Sequence, residues 1–397
     1  MARKYRPGCR KRSKTMNILA GLGEVVCIGC LAALGCALVG SALVLRRRSM
    51  LGDAISHSVI AGIAVAYWVH PDPNSPWLRL GAITAGCFAA WLTNHLSHML
   101  RGKADAALAL VFPAFFATGT LILSLVAANT HMDVDQVLSG NLESSWLERF
   151  TWEGHDIGPA AAWRMALFIL ILLITGWLFC RDITIQLFDP DHGKTLGRPM
   201  VRMEIGLILA STLVIVQAYD AMGPVLVVAL LAGPGTSAWL FTHRLPAYFL
   251  AAAFLSQAST LSGITLAGAF DLNLAGSIAT MSGATFVLVL VFAPGQGLLL
   301  RWQLSRVSRI GFIANLLLVH LFQHEINGDF LKENRRMAFR EHLRLPEWEI
   351  IAGIQMLISR RLAFWKGNVL QTTPEGAARA VRVLEGTKNA GWSPETD

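Results

Sequence analysis

Charged residues are scarce in this sequence. They account for 15% of the 397 residues, while hydrophobic residues account for 54% and the mean hydropathy is +0.49. Soluble domains usually carry about 25% charged residues, so this shortage excludes an ordinary water-soluble globular protein. Between residues 16 and 292 only short polar breaks separate the apolar runs, and one membrane span needs only about 20 apolar residues. Lipid is therefore the expected solvent.

Cysteine is also scarce, and its placement argues against a disulfide framework. Five of the six cysteines lie in apolar segments and one lies in the basic N-terminal tail. Cys27 and Cys30 form a C-x-x-C, but no second Cys or His pair lies near them in the sequence, so packing is expected rather than a zinc site. The net charge of +8 could suggest nucleic acid, yet the basic residues cluster at the ends of apolar runs, a placement typical of membrane orientation.

Nine apolar segments are long enough to cross a membrane. Each is predicted to be a helix, because a backbone amide in hydrocarbon must find its partner within its own segment. The basic loops at 46–48, 101–103, 181–202 and 243–244 are predicted to face the cytoplasm. The nine segments lie near residues 17–45, 54–70, 77–99, 106–127, 160–180, 203–219, 223–241, 247–269 and 275–293. The fold class is accordingly an all-α polytopic membrane protein with about nine transmembrane helices.

Beyond about residue 303 the sequence becomes charged, which predicts a second, small α/β domain in the cytoplasm. An amphipathic helix is predicted over 346–359, a hairpin over 362–372, and a helix capped by Thr373 through residue 384. Helix, hairpin and helix in this order are typical of a winged helix. The predicted domains are a basic tail (1–16), a transmembrane domain (17–300), a connecting helix (301–322) and the winged-helix-like domain (323–397).

Asp53 and His57 are the candidate metal ligands. Four residues apart on a helix, they lie on one face, and one oxygen with one nitrogen donor suits manganese, iron or zinc better than calcium or magnesium. Ionisable residues inside a membrane are costly and usually mark a substrate path. The alternative is structural: Asp53 caps the second helix while His57 bonds to a neighbouring helix. Spacing alone does not decide between the two.

Four segments resemble, in the same order, the zinc/manganese/iron ABC transporter permease family. They are RRRSMLGDAISHSVIAG at 46–62, HMDVDQVLSGN at 131–141, FDPDHGKTLG at 188–197 and GPVLVVALL at 223–231. The resemblance covers residues 17–300. It implies that Asp53 and His57 hold the ion in its pathway, and that no cofactor is bound permanently, since the metal is the transported substrate.

The resemblance also implies a docking loop and a set of partners. The loop that would contact the ATPase comprises Phe188, Asp189, Pro190, Asp191, Gly193, Leu196 and Gly197. Here His192 and Gly193 depart from the family, where an acidic or apolar residue and Ala are common. The implied partners are a separate cytoplasmic ABC ATPase, an external metal-binding protein, membrane lipid and a second permease subunit, identical or related. The chain itself would not be an enzyme, and it would lie in the bacterial cytoplasmic membrane.

A second hypothesis is a membrane-anchored, metal-responsive regulator that acts through the C-terminal domain. Residues 370–376 resemble the wing and following helix of metal-dependent repressors. Residues 323–397 carry eleven Lys and Arg against ten Asp and Glu, however, and DNA-binding modules are usually much more basic. Nucleic acid is therefore not an expected partner.

Overall fold

The chain folds into two compact units, residues 1–293 and 294–397. This computed structural model describes residues 8–72, 75–100, 103–127, 142–143, 145, 147–152, 155–329, 331, 334, 339 and 345–386. The family-like segment 131–141 lies outside the described residues.

Helices make up most of the first unit. Their bounds are α1 Gly8–Leu45, α2 Ser49–Val69, α3 Pro76–Met99, α4 Ala104–Ala127, α5 Ala160–Leu178, α6 Cys180–Phe188, α7 Pro190–Thr195, α8 Met200–Met222, α9 Pro224–Phe241, α10 Leu245–Phe270 and α11 Leu274–Phe292. A hairpin of β1 (Arg149–Trp152) and β2 (His155–Pro159) precedes α5. The polytopic helical fold predicted from the sequence is confirmed.

In the described part of the chain, nine helices are long and apolar enough to cross a membrane. Eight of them, α1, α2, α4, α5 and α8 to α11, are segments that the sequence predicted. The predicted span at 77–99 folds as α3 but is less apolar, and the ninth helix is instead α12 (Leu298–Asn327) of the second unit. Because α12 buries its apolar side chains in the core of the second unit, length and composition alone do not make it a span.

Glycines let the helices of the first unit approach to backbone contact. A Cβ added to Gly40 on α1 would lie 2.0 Å from the Leu231 carbonyl oxygen on α9, and one added to Gly62 on α2 would lie 2.1 Å from the Gly81 oxygen on α3. Small residues at such crossings are the usual means of close packing in lipid. Gly40, Gly62 and Gly81 are therefore positions at which two helices pack closely.

Side chains of α10 bind carbonyl groups of α1. The Tyr248 hydroxyl donates to the Ser41 oxygen at 3.1 Å, the Ser256 hydroxyl to Ala33 at 2.9 Å, and the Gln257 amide to Cys30 at 2.9 Å. In lipid such polar contacts join helices that the hydrophobic effect does not drive together.

Helix α9 runs unbroken through Pro234. The proline removes the helical hydrogen bond to the Leu230 carbonyl, and hydroxyl groups donate to two other carbonyl groups near it. Ser237 donates to the Gly233 oxygen at 2.7 Å and Ser282 to the Ala229 oxygen at 3.2 Å.

Ion pairs join the hairpin to the helix ends around it. The Glu148 carboxylate accepts from Arg164 at 2.9 Å and from Arg79 at 3.3 Å. Arg149 donates to Glu24 at 3.1 Å. This pair places Glu24 beside the hairpin, at the end of the first apolar span.

The second unit has its own hydrophobic core. Helix α12 packs against α13 (Glu347–Ser359), a hairpin of β3 (Ala363–Lys366) and β4 (Val369–Thr372), and α14 (Pro374–Leu384). The Thr373 hydroxyl accepts from the Gly376 amide at 3.0 Å and caps α14. The order of helix, hairpin and helix predicted from the sequence is confirmed, with bounds within one residue of the prediction for both helices.

Candidate metal-ion pathway

Asp53 and His57 form a direct pair on α2. The Nε2 atom of His57 lies 3.2 Å from the Oδ1 atom of Asp53. The His57 side chain is 21% exposed and the Asp53 side chain is 34% exposed. Two ligand atoms bonded to one tetrahedral ion at ordinary bond lengths lie roughly 3.3 Å apart. The distance between the two atoms is that of a direct hydrogen bond or ion pair, and it is also compatible with two ligands of one ion.

The capping alternative for Asp53 is wrong, because α2 begins at Ser49 and Arg48 occupies the cap position. Asp53 thus lies a full turn inside the helix, where a carboxylate does not bond to the free amides of the first turn. A polar bond from His57 to a neighbouring helix is also absent among the described residues, since its Nδ1 atom is buried without a hydrogen-bond partner there.

Two phenylalanines of α4 cover the His57 ring. The Phe112 centroid lies 4.7 Å from the imidazole centroid at an angle of 61°, and the Phe116 centroid lies 5.5 Å away at 85°. These two residues were not predicted from the sequence as neighbours of His57. Their four-residue spacing on an apolar helix was the available signal, but such spacing also occurs in helices that only pack.

A cavity of about 260 Å³ lies between the ends of α2, α3 and α4. Its lining includes Ser49 and Leu108, which stand four residues before Asp53 and Phe112 along their helices, and so about one turn away from the pair. Asp105 lines the cavity together with Arg47 and Arg48, so the lining has no excess of negative charge that would favour a cation.

Among the residues described, no group of three or more His, Cys, Asp or Glu side chains is placed to hold a metal ion. Among these residues Asp53 and His57 could offer two ligands, whereas zinc is usually four-coordinate and manganese or magnesium more highly coordinated. The described residues would therefore supply at most half of a tetrahedral site.

The residues of the predicted docking loop form a tight turn of two short helices, α6 and α7. The Asp189 carboxylate accepts from the His192 amide at 2.9 Å, and Pro190 occupies the first position of α7. Phe188 and Leu196 are 55% and 56% exposed. Apolar side chains presented at the tip of a polar loop are suited to a protein partner.

Gly193 is the one buried residue of α7. A Cβ there would lie 2.5 Å from Met200 Sδ and 2.9 Å from Ile185 Cγ2, so an alanine at this position would require the side chains of α6 and α8 to shift. Asp191 and Lys194 form an exposed pair at 2.8 Å. Their hydrogen bond lowers the pKa of the Asp191 carboxyl and raises that of the Lys194 ammonium.

In a multi-pass membrane protein, a carboxylate and an imidazole inside the helical bundle are typical of a path for a substrate or an ion. The ABC 3 transport family matches residues 20–293, and the chain belongs to that family. It is a multi-pass protein of the cytoplasmic membrane.

Two relatives show how far the similarity extends. The chain is 33% identical to the zinc transport system membrane protein TroD of Treponema pallidum over 362 residues, which cover 91% of this chain and 98% of that protein. It is 32% identical to the manganese transport system membrane protein MntD of Bacillus subtilis over 275 residues, 69% of this chain and 93% of that protein. The match to TroD is longer than the family region, so the similarity reaches into the second unit.

A solved structure is similar in fold. PsaBC from Streptococcus pneumoniae in complex with Fab superposes with a TM-score of 0.58 at 24% identity, covering 70% of this chain and 93% of that chain. The relatives named here are membrane proteins of transport systems, and they lend no support to the alternative of a membrane-anchored regulator.

Proposed function

We propose that this chain is the membrane-spanning permease subunit of an importer of divalent metal ions, namely manganese, zinc or iron. The observation that supports this proposal most directly is the pair of Asp53 and His57, whose Oδ1 and Nε2 atoms lie 3.2 Å apart. The names of the relatives, which include zinc, manganese and iron transport systems, support the same class of cargo. ATP would be hydrolysed by a separate cytoplasmic subunit.

In this proposal Asp53 and His57 replace part of the ion's hydration shell as it crosses the membrane. A second permease subunit, identical or related, would bring a second pair and complete four ligands around the ion. An ion that must leave has to be bound weakly, and a site shared between two subunits can be opened by moving one against the other.

The docking loop would couple this movement to the ATPase. Phe188 and Leu196 would enter a groove of the ATPase subunit, while Asp189 and buried Gly193 keep the loop compact so that it moves as a rigid body. An external metal-binding protein would deliver the ion to the opposite side.

Metal uptake by cells that lack their own transporters tests the site. Asp53→Ala and His57→Ala should each reduce uptake at least about tenfold, since even partners of metal ligands contribute that much to affinity. Asp271→Asn and His70→Ala, which change the same residue types outside the pair, serve as controls. Wild-type uptake by either site variant would remove the pair from the pathway.

Co-purification with the ATPase subunit tests the docking loop. Phe188→Glu and Leu196→Glu should abolish co-purification, because a charge in an apolar contact is costly to desolvate. Leu272→Glu is the control, since Leu272 is 51% exposed and lies between α10 and α11, on the predicted external side. Equal recovery of the ATPase with all three variants would contradict this role of the loop.

A further inference from the structure

Within the described residues, His57 has no second hydrogen-bond partner of the kind that a metal-binding histidine usually has. Such a histidine almost always donates its other ring N–H to a carboxylate, a carbonyl group or water, which fixes the orientation of the ring. In His57 the Nε2 atom faces Asp53, while Nδ1 is buried and has no hydrogen-bond partner in the described part of the chain. No hydrogen bond from the described residues to Nδ1 therefore orients this ring.

Aromatic contacts orient the His57 ring instead. Phe112 and Phe116 both meet the imidazole in edge-to-face geometry, which aromatic rings prefer over face-to-face stacking. Their own centroids lie 6.3 Å apart. Phe116 also packs against the small core that contains Val59, Ile60 and Val216, and this packing restrains its ring.

Helix α4 packs closely against α2 beyond Phe116, and it loses a helical hydrogen bond at a proline between Phe112 and Phe116. A Cβ on Gly119 would lie 2.6 Å from the Ala61 backbone nitrogen, so the two backbones touch about one turn beyond Phe116. Pro113 lies inside α4 between the two phenylalanines and removes one helical hydrogen bond. Phe116 is thus on the anchored part of the helix, and Phe112 lies across the proline from it.

We propose that Phe112 and Phe116 are positioning residues for His57, holding its imidazole so that Nε2 and the Asp53 carboxylate meet one ion. The proposal rests on the proposed function, because it assigns the second layer of the same site. A histidine oriented by ring contacts has no carboxylate or carbonyl partner at its second nitrogen to raise the basicity of the ligating nitrogen. Lower basicity favours the weak binding that release of the ion requires.

The concentration dependence of metal uptake by the complete transporter tests this assignment. Phe112→Ala and Phe116→Ala should raise KM for manganese or zinc about tenfold and leave the maximal rate nearly unchanged. Phe115→Ala is the matched control, because Phe115 is adjacent on α4 but packs against Phe88 at 5.9 Å. Phe112→Tyr should retain the wild-type KM, whereas Phe112→Leu, which fills space without a ring, should not.

Two results would overturn the assignment. One is a KM for Phe116→Ala no higher than that of Phe115→Ala. The other is full recovery of KM in Phe112→Leu, which would mean that volume alone matters. Phe112→Leu and Phe112→Tyr keep the core filled, so they decide the question even if the alanine variants fold poorly. Failure of the proposed function is distinguished by Asp53→Ala and His57→Ala, which would then transport normally.

Discussion

Replacing Gly62 by alanine tests the packing on which the site depends. The new Cβ would lie 2.1 Å from the Gly81 carbonyl oxygen and 2.7 Å from the Ala85 Cβ. A carbon and a carbonyl oxygen in ordinary contact lie about 3.3–3.6 Å apart, so α2 and α3 would have to separate by roughly 1 Å. Overpacking of this kind costs about 1–3 kcal/mol, because backbone atoms, unlike a flexible side chain, cannot turn aside.

Thermal unfolding of the purified chain in detergent measures this cost. Gly62→Ala should lower Tm by several degrees, at about 2–4 °C for each kcal/mol. Uptake should also fall, because α2 carries Asp53 and His57. Gly268→Ala is the control: no atom lies within 4 Å of a Cβ there, and alanine is the better helix former. Equal Tm values for the two variants would refute the close contact of α2 with α3.

The remaining predictions concern charges. The hydrogen bond from Arg164 lowers the pKa of Glu148 from its ordinary value of 4.5. The ion pairs of Glu148 therefore stabilise the fold above pH 4.5, and this stability is lost as the pH falls through the lowered pKa. Glu148→Gln should flatten the dependence of Tm on pH in this acid range, and an unchanged dependence would contradict the pairing. Glu349 is 1% exposed and pairs with the mostly exposed Arg309 at 2.7 Å. Arg309→Ala should therefore destabilise the second unit by about 1–3 kcal/mol, and Glu349→Met by less. Calorimetry of the full chain that gives the reverse order would contradict this pairing.

Local signals in the sequence predicted much of the second unit. Thr373 followed by proline is a helix start whose bonds form within one turn, and the structure places α14 there. The turn at Gly367 joins two strands for an equally local reason, since glycine adopts the positive φ of 65° found there. Neither feature depends on distant residues.

Boundaries and partners that depend on distant contacts were harder to predict. The second span was expected to begin near residue 54, but α2 begins at Ser49, because a helix continues through polar residues that an apolar pattern leaves out. The ion pair of Glu24 with Arg149 could not be predicted, because the two residues are distant in sequence. The pairing of Asp53 with His57 followed from a helical period, whereas Phe112 and Phe116 reach His57 only through the crossing of α2 and α4.

Anomalous X-ray scattering from crystals of the complete transporter loaded with manganese tests the central claim most directly. The account predicts a manganese peak within about 2.0–2.3 Å of both the Asp53 carboxylate and the His57 Nε2 atom, and loss of that peak in His57→Ala. A manganese peak elsewhere in the membrane bundle, with the pair facing lipid, would contradict it.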